Sequence, residues 1–144
     1  MIKIRPPKEN EEIELAEIRA RSMRESLESV GRFDETRVRK RFFDSYDKNE
    51  TYVVEENADV IGFFSISENE HEYYLKHLYI DLNYQNKGFG TLILRHIINT
   101  FSEKEIKLNA LKGSKSNCFY LKNNFVKIDE DEYDNYYIRK IDFV

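Results

Sequence analysis

Cysteine is nearly absent from this chain of 144 residues, where Cys118 stands alone. One thiol cannot close an internal disulfide, which fits a reducing compartment. Long apolar runs are missing as well. No stretch of about 18 apolar residues is available to span a membrane. The opening Met1-Ile2-Lys3-Ile4-Arg5-Pro6 has no apolar segment followed by a cleavage site. A cytoplasmic protein without a membrane partner is the expectation. An excess of positive charge is missing too: 23 Lys and Arg stand against 27 Asp and Glu, a formal net charge of −4. Broad nucleic-acid binding needs a basic face, so this balance argues against it. Linkers, repeats and low-complexity tracts are lacking, so residues 1–144 read as one domain. What is present is 40% hydrophobic and 35% charged residues, in a chain long enough to bury its own core.

Read in order, Ile2-Lys3-Ile4-Arg5 alternates as a short strand that Pro6-Pro7 ends. A helix follows, with Asn10 as N-cap and Glu11 and Glu12 in its first turn. Ile13, Ala16, Ala20, Met23, Leu27 and Val30 recur every three or four residues and predict its buried stripe. Gly31 suits the C-cap. Asp34 caps a second helix that buries Val38, Phe42 and Tyr46. Three strands come next, over 51–55, 60–66 and 71–81, joined by short turns at Asn57-Ala58-Asp59 and Glu68-Asn69-Glu70. Turns this short imply an antiparallel meander.

Residues 75 to 101 organise the rest. Leu75 to Asp81 reads as strand and Thr91 to Phe101 as helix, with Leu94, Ile97, Ile98 and Phe101 on one stripe. Between them lies Gln85-Asn86-Lys87-Gly88-Phe89-Gly90. Glycines let backbone turn sharply and approach a ligand. A helix N-terminus adds free N–H groups and the positive end of a dipole. Strand, glycine loop and helix start together predict a phosphate site. A dinucleotide fingerprint would need a third glycine where Ile93 stands, and a Walker A loop is absent. A strand–turn–helix whose glycines serve only the turn stays open on these six residues alone. Beyond them, Ile106 to Leu111 is a strand, which the crossover makes parallel to the 71–81 strand. Lys115 to Lys122 is a short helix that Asn123-Asn124 ends in a left-handed turn. Phe125 to Ile128 and Tyr133 to Ile141 close as a hairpin.

The loop resembles the Gln/Arg-x-x-Gly-x-Gly/Ala signature of the GNAT superfamily of N-acetyltransferases, which use acetyl-coenzyme A. Asn117-Cys118-Phe119-Tyr120-Leu121-Lys122-Asn123-Asn124-Phe125 resembles the family's Asn-x-x-Tyr-x-x-x-x-Phe stretch, with Asn124 where Gly is frequent. The element order resembles the GNAT fold along nearly the whole chain. The expected class is therefore α/β with a mixed sheet, in the order β-α-α-β-β-β-α-β-α-β-β. That sheet is mostly antiparallel and splayed between the fourth and fifth strands.

The resemblance implies acetyl transfer from acetyl-coenzyme A to a primary amine by direct attack in a ternary complex. It places the pantetheine arm along Leu78-Tyr79-Ile80. It places the pyrophosphate on the N–H groups of Gln85, Asn86, Lys87, Gly88, Phe89, Gly90 and Thr91, with Asn117 as a further coenzyme contact. Leu78 supplies the oxyanion-hole N–H, and Tyr120 protonates the leaving thiolate. The general base stays open among Glu72, His77 and solvent, because Tyr74 stands where many members carry Glu, and His77 would need a strand bulge to reach the Leu78 face. Acceptor choice is expected in Ser26 to Asp34, with Arg32 and Phe33 as substrate contacts. The net charge tolerates a cationic amine.

Each residue also has a structural reading: Tyr120 as a core aromatic, Asn117 as a cap, Lys87 as a solvated loop lysine. A non-catalytic acyl-coenzyme A sensor or interaction module is the alternative function. The acceptor is a small molecule or a peptide amine, and a homodimer stays open. His71, His77, His96 and Cys118 lack metal-ligand spacing, so no metal is expected. Asp129-Glu130-Asp131-Glu132 lacks the glycine of a calcium loop and reads as a solvated hairpin turn.

Overall fold

The structure is a computed structural model describing residues 1–141. The elements are β1 (Ile2–Arg5), α1 (Glu12–Ser29), α2 (Glu35–Ser45), β2 (Thr51–Glu56), β3 (Asp59–Glu68) and β4 (Glu72–Ile80). They continue as α3 (Phe89–Thr100), β5 (Glu105–Leu111), α4 (Ser116–Lys122), β6 (Val126–Glu130) and β7 (Asp134–Arg139), and single 3₁₀ turns lie at Lys48–Glu50 and Leu82–Tyr84. This is the expected order. The seven strands form one sheet, β1-β2-β3-β4-β5-β7-β6. The β1–β2, β2–β3, β5–β7 and β6–β7 ladders are antiparallel. The β4–β5 ladder is parallel, as the helical crossover requires, and pairs Glu72, Tyr73 and Tyr74 with Glu105, Ile106 and Lys107.

The chain gathers into two compact units: residues 1–65 with 77–93, and residues 66–76 with those from 94 on. The first buries Leu15, Ala16, Ile18, Phe42, Val53 and Phe63, with Tyr46, Val60 and Tyr79 packed around them. Phe42 meets Phe63 edge-on at 5.4 Å between ring centroids, a favoured aromatic geometry.

The face that α1 buries matches the expected stripe only in part: Ala16 and Ala20 are buried and Met23 and Leu27 half-buried, but both ends of the stripe depart from it. Ile13 and Val30 are 61% and 41% exposed, while Leu15, Ala16, Ile18, Arg19 and Ala20 are buried. Arg19 lies near the middle of this face. Its guanidinium donates to the Val38 carbonyl and sits 6.0 Å from the centroid of the Tyr79 ring. A cation at the centre of a buried face hides that face from an apolar count.

Local signals fare better. Asp34 caps α2 by accepting the Arg37 N–H at 2.7 Å. Gly31 (φ 69) closes α1, and the N–H groups of Gly31 and Arg32 return to the carbonyls of Glu28 and Leu27 at 3.0 and 2.8 Å, the paired bonds of a Schellman motif. Asn10 is not the N-cap. It turns left-handed at φ 62, and Glu11 takes the cap position without a side-chain cap bond. The Glu11 carboxylate instead binds Arg5 at 2.8 and 2.7 Å and the Lys8 N–H at 2.9 Å. The charge-assisted fork outcompetes a neutral cap.

The second unit buries Leu94, Ile97, Leu108 and Phe125. Leu94 and Ile97 lie on the stripe expected of α3. The acidic stretch at 129–132 turns the β6–β7 hairpin: Asp131 Oδ1 accepts the N–H groups of Tyr133 and Asp134 at 3.0 and 2.8 Å.

Candidate active site

In the first unit β4 hands its last residue, Ile80, to the 3₁₀ turn. Asp81 caps that turn by accepting the Leu82 N–H at 2.9 Å. The backbone then becomes left-handed at Asn86 (φ 63) and Gly88 (φ 86). A Cβ at Gly88 would meet nothing within 4 Å, so glycine is there for its φ. α3 starts at Phe89, two residues earlier than expected, and the Leu92 N–H returns to the Gly88 carbonyl at 3.2 Å. The N–H groups of Phe89, Gly90 and Thr91 therefore precede the first helical donor, the Leu92 N–H, and have no acceptor within the helix. With the positive end of the helix dipole they are the kind of donor set that can hold an anion. Gly90 is helical, not part of the turn; what it offers is bare backbone beside those donors.

Gln85 plays a different part from the one expected. Its backbone N–H is taken by the Leu82 carbonyl at 3.3 Å. Its side-chain Nε2 reaches back to the Ile80 carbonyl at 2.8 Å. The residue buttresses the loop, and Gln or Arg suits the position because each carries a long side chain with an N–H donor. Lys87 lies 5.8 Å from the centroid of the Tyr84 ring, and Tyr84 meets Phe89 edge-on at 6.4 Å.

Leu78, Tyr79 and Ile80 are half-buried. The Tyr79 ring packs on Phe63 and His77 at 5.6 and 5.7 Å, and its hydroxyl donates to Met23 Sδ at 3.3 Å. The Tyr79 carbonyl oxygen lies so close to Gly62 that a Cβ there would overlap it. An isolated glycine inside a strand is the sequence signal for such an approach. His77 shares the Tyr79 face, meeting Phe42 edge-on at 5.5 Å with Nε2 3.4 Å from Ser45 Oγ. Arg32 and Phe33 sit in the α1–α2 connection, and Arg24 covers the Phe33 ring at 5.0 Å.

In the second unit α4 ends in a second Schellman motif. The Phe125 and Asn124 N–H groups return to the carbonyls of Tyr120 and Leu121 at 3.1 and 3.4 Å, and Asn124 is left-handed at φ 69. The apolar contact that accompanies this motif is Tyr120 against Phe125, 5.5 Å between centroids. The Asn-x-x-Tyr-x-x-x-x-Phe pattern is thus in part a helix-ending device, and it explains why Gly or Asn precedes the Phe. Tyr120 is 7% exposed.

Asn117 has a structural task. Its Nδ2 donates to the carbonyls of Leu111 and Ser114 at 2.9 and 3.0 Å, and its Oδ1 accepts Asn135 Nδ2 and the Tyr137 hydroxyl at 3.0 and 2.7 Å. Both donors and both lone pairs are engaged, which ties α4 to β5 and β7. Glu72 pairs with Lys107 at 2.8 Å, and the ammonium holds its carboxyl below the usual carboxylate range. Tyr74 donates to Asn109 Oδ1 at 2.5 Å, and burial raises its pKa.

A mixed seven-stranded sheet with a parallel β4–β5 pair, and a glycine loop running from β4 into α3, is the GNAT fold. Residues 47–127 match the acetyltransferase (GNAT) domain, more than half of the chain, and the chain belongs to that family. By family it is an acetyl-coenzyme A-dependent acetyltransferase, and the family acetylates amines. Solved structures share the fold. The PaiA N-acetyltransferase from Thermoplasma acidophilum, in complex with coenzyme A, superposes with a TM-score of 0.81 at 21% identity, over 97% of this chain and 99% of that one. The ribosomal-protein-S18-alanine N-acetyltransferase from Escherichia coli has a TM-score of 0.75 at 15% identity, over 100% and 96%. An acetyltransferase from Thermus thermophilus has 0.78 at 12%, over 98% and 97%. No curated protein matches this chain. No helix among the described residues is long and apolar enough to cross a membrane.

Proposed function

We propose that this chain moves an acetyl group from acetyl-coenzyme A to a primary amine by direct attack in a ternary complex. The observation that carries the reading is the loop itself: left-handed turns at Asn86 and Gly88, then a helix whose first N–H groups lie at Phe89, Gly90 and Thr91. These donors take the coenzyme pyrophosphate, with Asn86, Lys87 and Gly88 around it. Leu78, Tyr79 and Ile80 are the strand edge for the pantetheine arm.

In the proposed reaction the neutral amine attacks the thioester carbonyl and forms a C–N bond. The oxyanion is held by the Leu78 N–H, where a preorganised donor acts most strongly. Collapse breaks the C–S bond, and the Tyr120 hydroxyl gives its proton to the thiolate and regains one from solvent. The new amide nitrogen loses its proton to solvent. Solvent is favoured over Glu72 because a carboxylate held low by Lys107 is a weakened base. It is favoured over His77 because that ring packs among Phe42, Phe63 and Tyr79. Arg32 and Phe33 contact the amine.

The test is a panel of polyamines, amino sugars, amino acids and peptide amines assayed for thiol release from acetyl-coenzyme A. At least one class should give turnover that saturates in both substrates. Coenzyme binding by calorimetry with no thiol release from any amine would favour the sensor reading instead.

A further inference from the structure

α1 reaches the coenzyme loop through two consecutive residues. Arg21 Nε and Nη2 donate to the two carboxylate oxygens of Asp81 at 2.9 and 2.8 Å. Ser22 Oγ donates to the Ile80 carbonyl at 3.1 Å, the same oxygen that accepts Gln85 Nε2. Asp81 is engaged on every polar atom that matters for the loop. Its carboxylate caps the 3₁₀ turn, and its own N–H donates to the Ile61 carbonyl at 2.8 Å. One turn back along α1, Glu17 pairs with Arg39 of α2 at 2.5 and 3.0 Å. An exposed ion pair usually contributes little. This one differs: the geometry is a bidentate fork, the Asp81 side chain is only 17% exposed, and the same carboxylate starts the turn leading into the loop.

We propose that the Arg21–Asp81 pair is a positioning latch, through which α1 sets the place of the coenzyme loop and hence the affinity for acetyl-coenzyme A. The inference rests on the reading of residues 86–91 as the coenzyme site. Four residues separate Asp81 from Asn86, so a shift of Asp81 is carried directly into the N–H groups that follow. Small displacements of positioned donors are costly in binding and rate. The latch touches no reacting atom. Its loss acts on the KM for acetyl-coenzyme A and leaves kcat in place.

The experiment measures coenzyme A affinity by calorimetry, and KM and kcat with the best amine, for wild type, Arg21→Ala, Arg21→Lys, Asp81→Asn and the Arg21→Ala/Asp81→Asn double variant. Arg24→Ala, three residues along α1, is the control for coenzyme affinity. Arg21→Ala and Asp81→Asn should each weaken coenzyme A about tenfold, with kcat within twofold. The double variant should be no worse than either single, since both remove one interaction. Arg21→Lys keeps the charge without the fork and should recover only part of the affinity. Arg24→Ala should leave coenzyme A affinity unchanged. Unchanged affinity in Arg21→Lys and Asp81→Asn, confirmed as folded by circular dichroism, would overturn the latch. So would additive losses in the double variant, or a fall in kcat that exceeds the rise in KM. If wild type itself fails to bind coenzyme A, the coenzyme-site reading falls and the latch with it. Normal wild-type binding with unaffected variants removes the latch alone.

Discussion

Tyr120 and Asn117 are three residues apart on one short helix, and their tasks differ. Tyr120→Phe keeps the ring that packs on Phe125 and Tyr137, so folding should survive. The hydroxyl is what the proposed mechanism uses. A positioned acid is worth roughly 10²–10⁴-fold, so kcat should fall by that order while coenzyme affinity holds. Turnover within twofold of wild type from pH 7 to 9 would leave solvent as the donor. Asn117→Ala is expected to act on stability first. It removes a side chain bonded to Leu111, Ser114, Asn135 and Tyr137 and strands those groups. The cost should be about 2–4 kcal/mol, read from urea unfolding. A variant as stable as wild type that loses coenzyme affinity would instead make Asn117 a direct coenzyme contact.

Among the elements, the turn from β4 into α3 is the one on which the proposed coenzyme binding rests. It combines a capped 3₁₀ turn, two left-handed residues and a helix start within Asp81 to Thr91. Gly90→Asp sets a Cβ and a negative charge beside the first N–H groups of α3. The carboxylate suits the helix dipole, so the helix should persist. It competes with a pyrophosphate for the same donors and repels it. Coenzyme A affinity should therefore drop by at least about a hundredfold, a loss of about 2.7 kcal/mol, with the far-ultraviolet spectrum unchanged. An unaltered dissociation constant would remove the phosphate assignment.

For the whole molecule, binding to the folded state alone must raise apparent stability. Coenzyme A at 100 times its dissociation constant should add about 2.7 kcal/mol, or about 5–10 °C in Tm for a chain of this length. A Tm independent of coenzyme concentration would contradict a folded-state site. What the sequence determined by itself is the set of features whose causes lie within a few residues. The element order, the Asp34 cap, the left-handed ends at Gly31 and Asn124, and the loop ahead of α3 all follow from short-range hydrogen bonding and φ preference. The buried face of α1 was legible only in part: Ala16 and Ala20 lie on it, but Arg19 joins it through an acceptor on Val38, 19 residues away. Glu72 is a candidate base by sequence, and its pairing with Lys107, 35 residues on, is not legible there. The resemblance implies a coenzyme contact at Asn117, but its bonds to Asn135 and Tyr137 have no signal in the sequence. Arg21 and Asp81 are 60 residues apart and belong to no common period. Charge pairs and amide networks of this kind form where chain folding brings distant groups together. A hydrophobic pattern records which side of an element faces the core, but not which polar group it will meet there, so only the tertiary structure decided them.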